Sequence, residues 1–207
     1  MSLMRHNGFE LHPGVLDLAA QRRLLAAVMT GVRSAPFIAP VTPQGKAMSV
    51  RQTSFGALGW VADAKGYRYE AQHPATGQPW PPIPGALLEI WARFADADTP
   101  PDSCLVNFYG PGTKMGLHQD RDEADLTAPV LSVSLGDVAV FRLGGVARGD
   151  ATLSVRLGSG DVCVLKGASR LAFHGVDRVV AGSSGLISGG GRINLTLRRA
   201  GPDVTQR

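Results

Sequence analysis

The sequence predicts a β-rich α+β fold, in which two N-terminal helices pack against a sandwich or jelly roll of short strands. Seven strand-like segments follow one another in the second half of the chain, with no helical segment between them. Glycine-rich turns such as GPGTKMG, LGG and GSGD separate most of these segments. The chain of 207 residues is long enough to bury one core, which favours a single domain.

Two helices are expected in the first half of the chain. Residues 17 to about 32 have apolar side chains at helical spacing, which predicts one buried face made of Leu18, Leu24, Leu25 and Val28. A second helix is expected to start at Pro84, because proline suits the first helical turn. Its apolar positions predict a stripe that packs against a sheet, made of Leu87, Leu88, Trp91, Phe94 and Ala95.

The strands are expected from short apolar runs that are bounded by turn residues. They are placed near residues 103–109, 130–135, 138–143, 152–157, 161–166, 171–176 and 192–199. Residues 36–83 are less regular, and they mix turns with short β candidates such as AMSVRQTSF and KGYRYEA.

Composition and charge exclude few function classes. The chain is 44% hydrophobic and 18% charged, as globular domains usually are, and its net charge of +4 permits a polyanionic partner without requiring one. Cys104 and Cys163 lie in apolar runs and are expected to be buried free thiols. The N-terminus lacks the apolar core of a signal peptide, and no run reaches membrane-spanning length. We therefore expect a cytoplasmic protein without membrane contact.

The segment LHQDRDE and the later FHGV suggest a metal site. His118 and Asp120 are two residues apart, so in an extended segment both side chains point to the same side. His174 follows 54 residues after Asp120, and a jelly roll can bring such distant strands together. Two histidines and one carboxylate form the facial triad of non-haem iron(II) oxygenases. By itself this spacing is a moderate signal, because a lone histidine is more often a structural residue.

The last expected strand, RINLTLRR, has an apolar face and a polar face that carries Arg192, Asn194, Thr196 and Arg198. The common interpretation of such a pattern is a strand whose apolar face packs on the core and whose arginines point to solvent. The two arginines are also suited to a short dicarboxylate, because guanidinium binds carboxylate through two points. The strand in LVNFYGPG offers two more polar groups on one face, Asn107 and Tyr109.

These segments together resemble the bacterial AlkB family of alkylated-base dioxygenases. LVNFYGPGTKMGLHQDRDEADLTAPVLSVSLG, SRLAFHGV and RINLTLRR occur in order, and VTPQGKAMSV, GALGW and KGYRYE extend the resemblance over nearly the whole chain. The resemblance implies a single catalytic domain over residues 1–207. Within it, a double-stranded β-helix (jelly roll) core is expected at about 103–200, and a nucleotide-recognition lid at about 36–83.

The resemblance also implies the chemistry and the residues that perform it. The cofactors would be Fe(II), 2-oxoglutarate and O2, and the substrate alkylated single- or double-stranded DNA, or RNA, bound by a monomer. Bases such as 1-methyladenine and 3-methylcytosine would be dealkylated, with release of formaldehyde, succinate and CO2. The iron ligands would be His118, Asp120 and His174. The 2-oxoglutarate ligands would be Asn107, Tyr109, Arg192, Asn194 and Arg198. The substrate would contact Trp60, Tyr67, Tyr69, Asp122, Arg148, Thr42 and Met48.

Other interpretations stay open at this point. The chain departs from the family pattern near the substrate, with Gly116, Arg121, Leu165 and Ile193 at positions where a well-known member has Ser, Lys, Trp and Tyr. Trp60 can equally cap the core, and Asp122, Glu123 and Asp125 can form an ordinary acidic surface loop. A 2-oxoglutarate dioxygenase acting on a small molecule or a protein side chain would need the triad and the arginines alone. A binding module with a structural metal would want a fourth ligand, and none is obvious.

Overall fold

A computed structural model describes residues 2–95 and 97–201 of the chain. Its α-helices are α1 (Leu18–Ser34) and α2 (Gly85–Phe94), with a short 3₁₀ turn at Gly167–Ser169. Its strands are β1 (Met4–His6), β2 (Phe9–His12), β3 (Arg51–Gly56), β4 (Gly59–Asp63), β5 (Gly66–Glu70), β6 (Ser103–Tyr109), β7 (Met115–His118), β8 (Val130–Gly136), β9 (Val138–Leu143), β10 (Leu153–Leu157), β11 (Val162–Leu165), β12 (His174–Val180) and β13 (Arg192–Arg198). Neither helix of the described residues is long and apolar enough to cross a membrane.

The strands form two antiparallel sheets and a separate hairpin. The major sheet has the order β1-β2-β11-β8-β13-β6-β3, and the minor sheet the order β10-β9-β12-β7. An apolar cluster with members from both sheets, including Phe9, Phe141, Leu165 and Val176, fills the space between them. The β4–β5 hairpin pairs with neither sheet. Two facing sheets are the arrangement that the run of short strands predicts.

The helices cover the outer face of the major sheet. Leu24 and Val28 of α1 and Leu87 and Trp91 of α2 belong to one cluster with the outer side chains of the central strands, such as Val106. Both faces of the major sheet are therefore buried. As a result the polar residues of β13 face the gap between the sheets, whereas the sequence alone allows them to face solvent.

The two helices lie where the apolar periodicity predicts them, but the buried residues differ in detail. Leu18 is 53% exposed, whereas Gln21 is buried. The Gln21 amide donates to the Leu16 carbonyl (2.8 Å) and accepts from the Ser159 hydroxyl (2.6 Å), so hydrogen bonds compensate its burial. In α2, Leu88 is 39% exposed and Ile90 is buried in its place.

Several strands differ from the sequence prediction. β12 is expected at 171–176 but runs from His174 to Val180, so it begins three residues later and ends four residues later, because the chain before it continues from the 3₁₀ turn. β1, β2 and β7 are three or four residues long and were not predicted as strands. Segments of this length show too little apolar alternation to be recognised as strands from the sequence. β3 lies within residues 36–83, yet it pairs with β6 in the major sheet. Within the expected lid, the β4–β5 hairpin is therefore the strand pair that stands apart from the sheets.

Candidate active site

Three of the expected site residues meet at one end of the minor sheet. His118 ends β7 and His174 begins β12, and the two are direct register partners on neighbouring strands. Asp120 follows β7 by two residues. One ligand atom from each of the three lies within 4.8 Å of the others. The His118 Nε2 to Asp120 Oδ1 distance is 3.7 Å, and the His174 Nε2 to Asp120 Oδ2 distance is 3.9 Å.

Both imidazole rings are oriented by a backbone carbonyl. Nδ1 of His118 lies 3.0 Å from the Gly116 oxygen, and Nδ1 of His174 lies 3.0 Å from the Ala172 oxygen. A carbonyl oxygen only accepts, so each Nδ1 carries the proton and each Nε2 keeps its lone pair. Hydrogen bonds of this kind fix the tautomer of histidines that bind metals. Two bare Nε2 atoms beside a carboxylate form a donor set suited to Fe(II).

The charges around Asp120 favour its ionised form. Burial raises the pKa of this carboxyl group, but Arg198 and the two histidines outweigh burial and hold the pKa well below its usual range. Nη2 of Arg198 donates to Asp120 Oδ2 at 2.7 Å. Burial and the neighbouring His118 lower the pKa of His174 to about 4. At neutral pH His174 is therefore a neutral imidazole and Asp120 a carboxylate, the protonation states that metal binding requires.

The expected 2-oxoglutarate ligands share the face of β6 and β13 that lies between the sheets. Arg192 is the register partner of Tyr109, and Asn194 is the partner of Asn107. Arg198 stands at the other end of β13, beside Asp120. These five residues therefore lie on one continuous polar surface, which reaches the His118–Asp120–His174 cluster through Arg198.

The two arginines of β13 differ in how their charge is balanced. Arg198 is within ion-pair distance of two carboxylates, those of Asp120 (2.7 Å) and Glu123 (3.3 Å). Arg192 is 1% exposed. Among the described residues, its guanidinium donates to the Ser134 hydroxyl (2.6 Å) and to the carbonyls of Asp137 (3.2 Å) and Leu157 (3.1 Å), all of them uncharged groups.

Nε of Arg192 is buried and has no hydrogen-bond partner in the described part of the chain. Among the described residues no carboxylate lies within ion-pair distance of this guanidinium, and Asp161 acts on its charge only from farther away. A buried cation that is so weakly balanced is costly unless an anion joins it. The site therefore fits a carboxylate ligand at Arg192.

Two further residues belong to the site, although the sequence did not point to them. The Glu123 side chain is 2% exposed. It contacts Arg198, accepts from Arg170 Nη2 at 3.1 Å, and accepts from the Tyr69 hydroxyl at 2.7 Å. Arg170 also donates to the Asp120 carbonyl (2.7 Å). Glu123 is thus not part of a solvated acidic loop. In the sequence Glu123 stands between Asp122 and Asp125, and nothing in that pattern distinguishes the buried residue from its exposed or half-buried neighbours.

The β4–β5 hairpin places three aromatic side chains on one face. Trp60 and Tyr69 are register partners, and the Trp60 and Tyr67 rings stack at 5.4 Å. Trp60 Nε1 donates to Asp122 Oδ2 at 2.8 Å. Through this bond and the Tyr69–Glu123 bond, the hairpin is joined to the segment that follows Asp120. Trp60 is half-buried, whereas the core tryptophans are Trp80 and Trp91.

Of the remaining expected substrate residues, Arg148 is exposed, and Thr42 and Met48 are half-buried. Arg148 stacks its guanidinium over Phe173 and donates to the Leu117 carbonyl (3.4 Å), one residue before His118. The Thr42 hydroxyl accepts the Lys46 N–H in a turn, and Met48 packs against the inter-sheet cluster. No described hydrogen bond joins Thr42 or Met48 to the histidine cluster.

Comparison with known proteins decides the family. The family model described as the 2OG-Fe(II) oxygenase superfamily matches residues 8–198. The alpha-ketoglutarate-dependent dioxygenase AlkB homolog of Caulobacter vibrioides is 63% identical over 193 residues, which cover 93% of this chain and 88% of that protein. The chain belongs to the AlkB family. Its relative in Escherichia coli, alpha-ketoglutarate-dependent dioxygenase AlkB, is 43% identical over 186 residues, with coverage of 88% and 86%.

The solved structure of OsALKBH1 resembles this AlkB family member in three dimensions. It has a TM-score of 0.78 and 31% identity, and the match covers 96% of this chain and 100% of the other. The predicted β-rich fold with a jelly-roll core is thereby confirmed. So is the predicted enzyme class, an oxidoreductase that uses Fe(II), 2-oxoglutarate and O2.

The departures from the AlkB pattern do not all lie near the site. Ile193 is 1% exposed and packs on the outer face of the major sheet, against the helices. It therefore has no direct route to a bound substrate. Leu165 lies in the inter-sheet cluster, and Arg121 is exposed. Gly116 is exposed, and its carbonyl orients His118.

Proposed function

We propose that the protein removes alkyl groups from damaged bases such as 1-methyladenine and 3-methylcytosine in DNA, with RNA as a further substrate. One observation carries the proposal. The aromatic face of the β4–β5 hairpin is hydrogen-bonded to the segment that follows Asp120, through Trp60 and Tyr69. A dioxygenase for small molecules would not need a stacking surface at this place.

His118, Asp120 and His174 would hold the iron, because their donor set and tautomers fit it. The iron supplies, when bound, the oxidation of the alkyl carbon by O2 with 2-oxoglutarate as co-substrate. The chain itself contributes placement and charge. Arg170 donates to the Asp120 carbonyl, and Glu123 contacts both Arg198 and Arg170, so this pair helps to keep Asp120 and Arg198 in position.

2-Oxoglutarate would lie along the polar face of β6 and β13. Arg198 is adjacent to Asp120 and would receive the carboxylate nearer the metal. Arg192 is six residues away on the same strand and would receive the farther carboxylate, with Tyr109 beside it. Asn107 and Asn194 are paired between these two ends and offer amide groups to the middle of the molecule.

The damaged base would stack on Trp60, with Tyr67 supporting the opposite face of the indole. A base inside a duplex cannot reach the metal, so it must be flipped out or single-stranded. One oxygen of Asp122 holds the Trp60 N–H, and the other stays available to a cationic base. Arg148, Thr42 and Met48 would line the path of the nucleic-acid strand.

The proposal is tested by measuring succinate release with oligonucleotides that carry 1-methyladenine or 3-methylcytosine, against unmodified ones, in DNA and in RNA. Methylated strands are expected to stimulate release and to yield formaldehyde. Equal release with unmodified strands would point to a small-molecule or protein substrate.

Trp60 provides the sharper form of the same test. Base stacking contributes roughly 1–3 kcal/mol, so Trp60→Ala should raise the KM for a methylated oligonucleotide about tenfold per 1.4 kcal/mol. Trp60→Phe keeps an aromatic ring but loses the bond to Asp122, so its KM should lie between that of the unaltered protein and that of Trp60→Ala. The metal content should be unchanged in both variants. A lower melting temperature with an unchanged oligonucleotide KM would assign Trp60 to the core.

We further propose a cytoplasmic monomer. Cys104 and Cys163 are both free and buried, as is usual in a reducing compartment. Light scattering at micromolar concentration should give the mass of one chain, and a dimer mass would contradict this.

A further inference from the structure

The loop of residues 181–191, which leads into Arg192, is built around one buried carboxylate. Asp137 joins β8 to β9 and is 2% exposed. Its carboxylate accepts the backbone N–H groups of Ser184 (2.9 Å), Gly191 (3.0 Å) and Gly182 (3.3 Å). The Ser183 hydroxyl donates to it at 3.4 Å. The Asp137 side chain therefore binds the backbone at both ends of the loop.

The backbone of Asp137 binds the strand that the loop enters. Its N–H donates to the Gly191 carbonyl at 2.8 Å. Its own carbonyl accepts from Nη1 of Arg192 at 3.2 Å. The side chain and the main chain of one residue thus fix the loop, the first residue of β13 and the guanidinium of that residue.

The Asp137 carboxylate points toward the amides of the loop and not toward the guanidinium of Arg192. Burial raises the pKa of Asp137, but the hydrogen bonds from the loop amides outweigh burial and keep the pKa below its usual value. The ionised carboxylate is satisfied by these amides, and it does not form an ion pair with Arg192. The guanidinium therefore stays available to an external anion.

The loop needs such a fastening because of its composition. Gly182, Gly189, Gly190 and Gly191 all have positive φ angles, between 71° and 97°. Glycine has more backbone freedom than any other residue, so a loop of this kind samples many conformations when its contacts are removed. The start of β13 would then be set less accurately.

We propose that Asp137 is a positioning residue for 2-oxoglutarate. It holds the 181–191 loop and Arg192 so that the guanidinium meets the carboxylate farther from the metal. This inference rests on the 2-oxoglutarate site of the proposed function. It assigns to Asp137 an effect on affinity for 2-oxoglutarate, and none on the metal cluster at the other end of the polar face.

The test is the binding of 2-oxoglutarate to protein loaded with Mn(II), which does not turn over, measured by calorimetry. Asp137→Asn puts an NH2 group among N–H donors and removes the charge, so the Kd for 2-oxoglutarate should rise about tenfold. The Kd for Mn(II) itself should stay within about twofold. Asp17→Ala is the matched control, because it removes another carboxylate that accepts a backbone N–H, at the start of α1. It should lower the melting temperature and leave both affinities unchanged.

Two further measurements keep the inference falsifiable. Ser183→Ala removes the hydroxyl that lies 3.4 Å from the Asp137 carboxylate, donates to the Val180 carbonyl (2.6 Å) and accepts the Val138 N–H (2.8 Å), so it also loosens the start of the loop. It keeps the Asp137 carboxylate and should raise the Kd for 2-oxoglutarate about two- to threefold, so it decides the matter if Asp137→Asn does not fold. In an Arg192→Lys background, Asp137→Asn should add little, because it acts through that side chain. An unchanged Kd in Asp137→Asn, full additivity with Arg192→Lys, or a parallel loss of Mn(II) binding would overturn the inference. If the unaltered protein bound no 2-oxoglutarate, the proposed function would fail instead.

Discussion

At the scale of single residues, the site is a set of buried charges that differ in their partners. Asp120, Glu123, Arg170 and Arg198 form one connected group of ion pairs and hydrogen bonds. Arg192 stands outside this group. Removing one member of a buried pair leaves an unbalanced charge, which is strongly destabilising. Variants at Arg198 should therefore disturb both the metal site and 2-oxoglutarate, whereas variants at Arg192 should disturb 2-oxoglutarate alone.

His118→Ala should remove iron binding and turnover. Two remaining ligands hold the metal weakly, and the loss of affinity should exceed the 10- to 100-fold that changes in outer hydrogen-bond partners cause. Equilibrium dialysis with Fe(II) under anaerobic conditions measures it. His12→Ala is the control, because His12 is bonded to Glu10 and lies outside the cluster. Full activity of His118→Ala with excess iron would remove this residue from the metal site.

Arg198→Lys should raise the KM for 2-oxoglutarate at least about tenfold. Nε and Nη2 of Arg198 both reach Asp120 Oδ2, at 3.1 and 2.7 Å, and an ammonium group cannot reproduce a planar, two-point contact. Arg199→Lys is the matched control, since Arg199 contacts Pro100 and Asp102. If both variants keep the same KM as the unaltered protein, Arg198 has a structural role only.

At the scale of elements, the β4–β5 hairpin is held from two sides. One face packs on Trp80, which clusters with Val61 and Ala35 and donates its indole N–H to the Glu70 carbonyl (2.8 Å). The other face carries Trp60, which reaches Asp122. The hairpin thus has a fixed distance from the metal cluster, although it pairs with neither sheet.

Gly59→Ala tests whether that distance matters. The Trp80 ring lies directly against Gly59, so a methyl group there must push the ring or the hairpin aside. We expect a loss of stability of about 1–3 kcal/mol, as for overpacking elsewhere, and a raised oligonucleotide KM because Trp60 moves. Thermal unfolding and steady-state kinetics measure the two effects. Gly85→Ala is the control, because a methyl group at this helix position meets open space and should stabilise slightly. An unchanged KM in Gly59→Ala would mean that the hairpin tolerates displacement.

At the scale of the whole molecule, both faces of the major sheet are buried, one by the minor sheet and one by the helices. The two thiols illustrate this. Cys104 belongs to the helix side, and Cys163 lies between the sheets, 3.2 Å from the Ser132 hydroxyl. Burial raises the pKa of Cys104 to about 12 and also raises that of Cys163.

Both thiols should therefore resist alkylation in the folded protein at pH 8, because the thiolate is the reactive form. They should react rapidly in denaturant, and mass spectrometry counts the labels. A Cys104→Ala, Cys163→Ala variant should lose stability more than activity per folded molecule. A large loss of specific activity at unchanged melting temperature would give Cys163 a role in the space between the sheets.

The sequence by itself determined the features that depend on neighbouring residues. The alternation in RINLTLRR put Arg192, Asn194 and Arg198 on one face, and the H-x-D spacing put His118 and Asp120 on one side. The periodicity of α1 and α2 located both helices. The predictions for the substrate-binding residues rested on the family resemblance, because spacing alone does not identify them.

Only the tertiary structure decided what those faces meet. It turned Glu123 inward to Tyr69 and Arg170, and it placed two carboxylates at ion-pair distance from Arg198 but no described one from Arg192. It also buried Trp80 in the core beside the hairpin, whereas Trp60 stays half-buried. These contacts join segments that are many residues apart. Periodicity specifies which side chains of one element share a face, but the partner of that face depends on how distant elements pack.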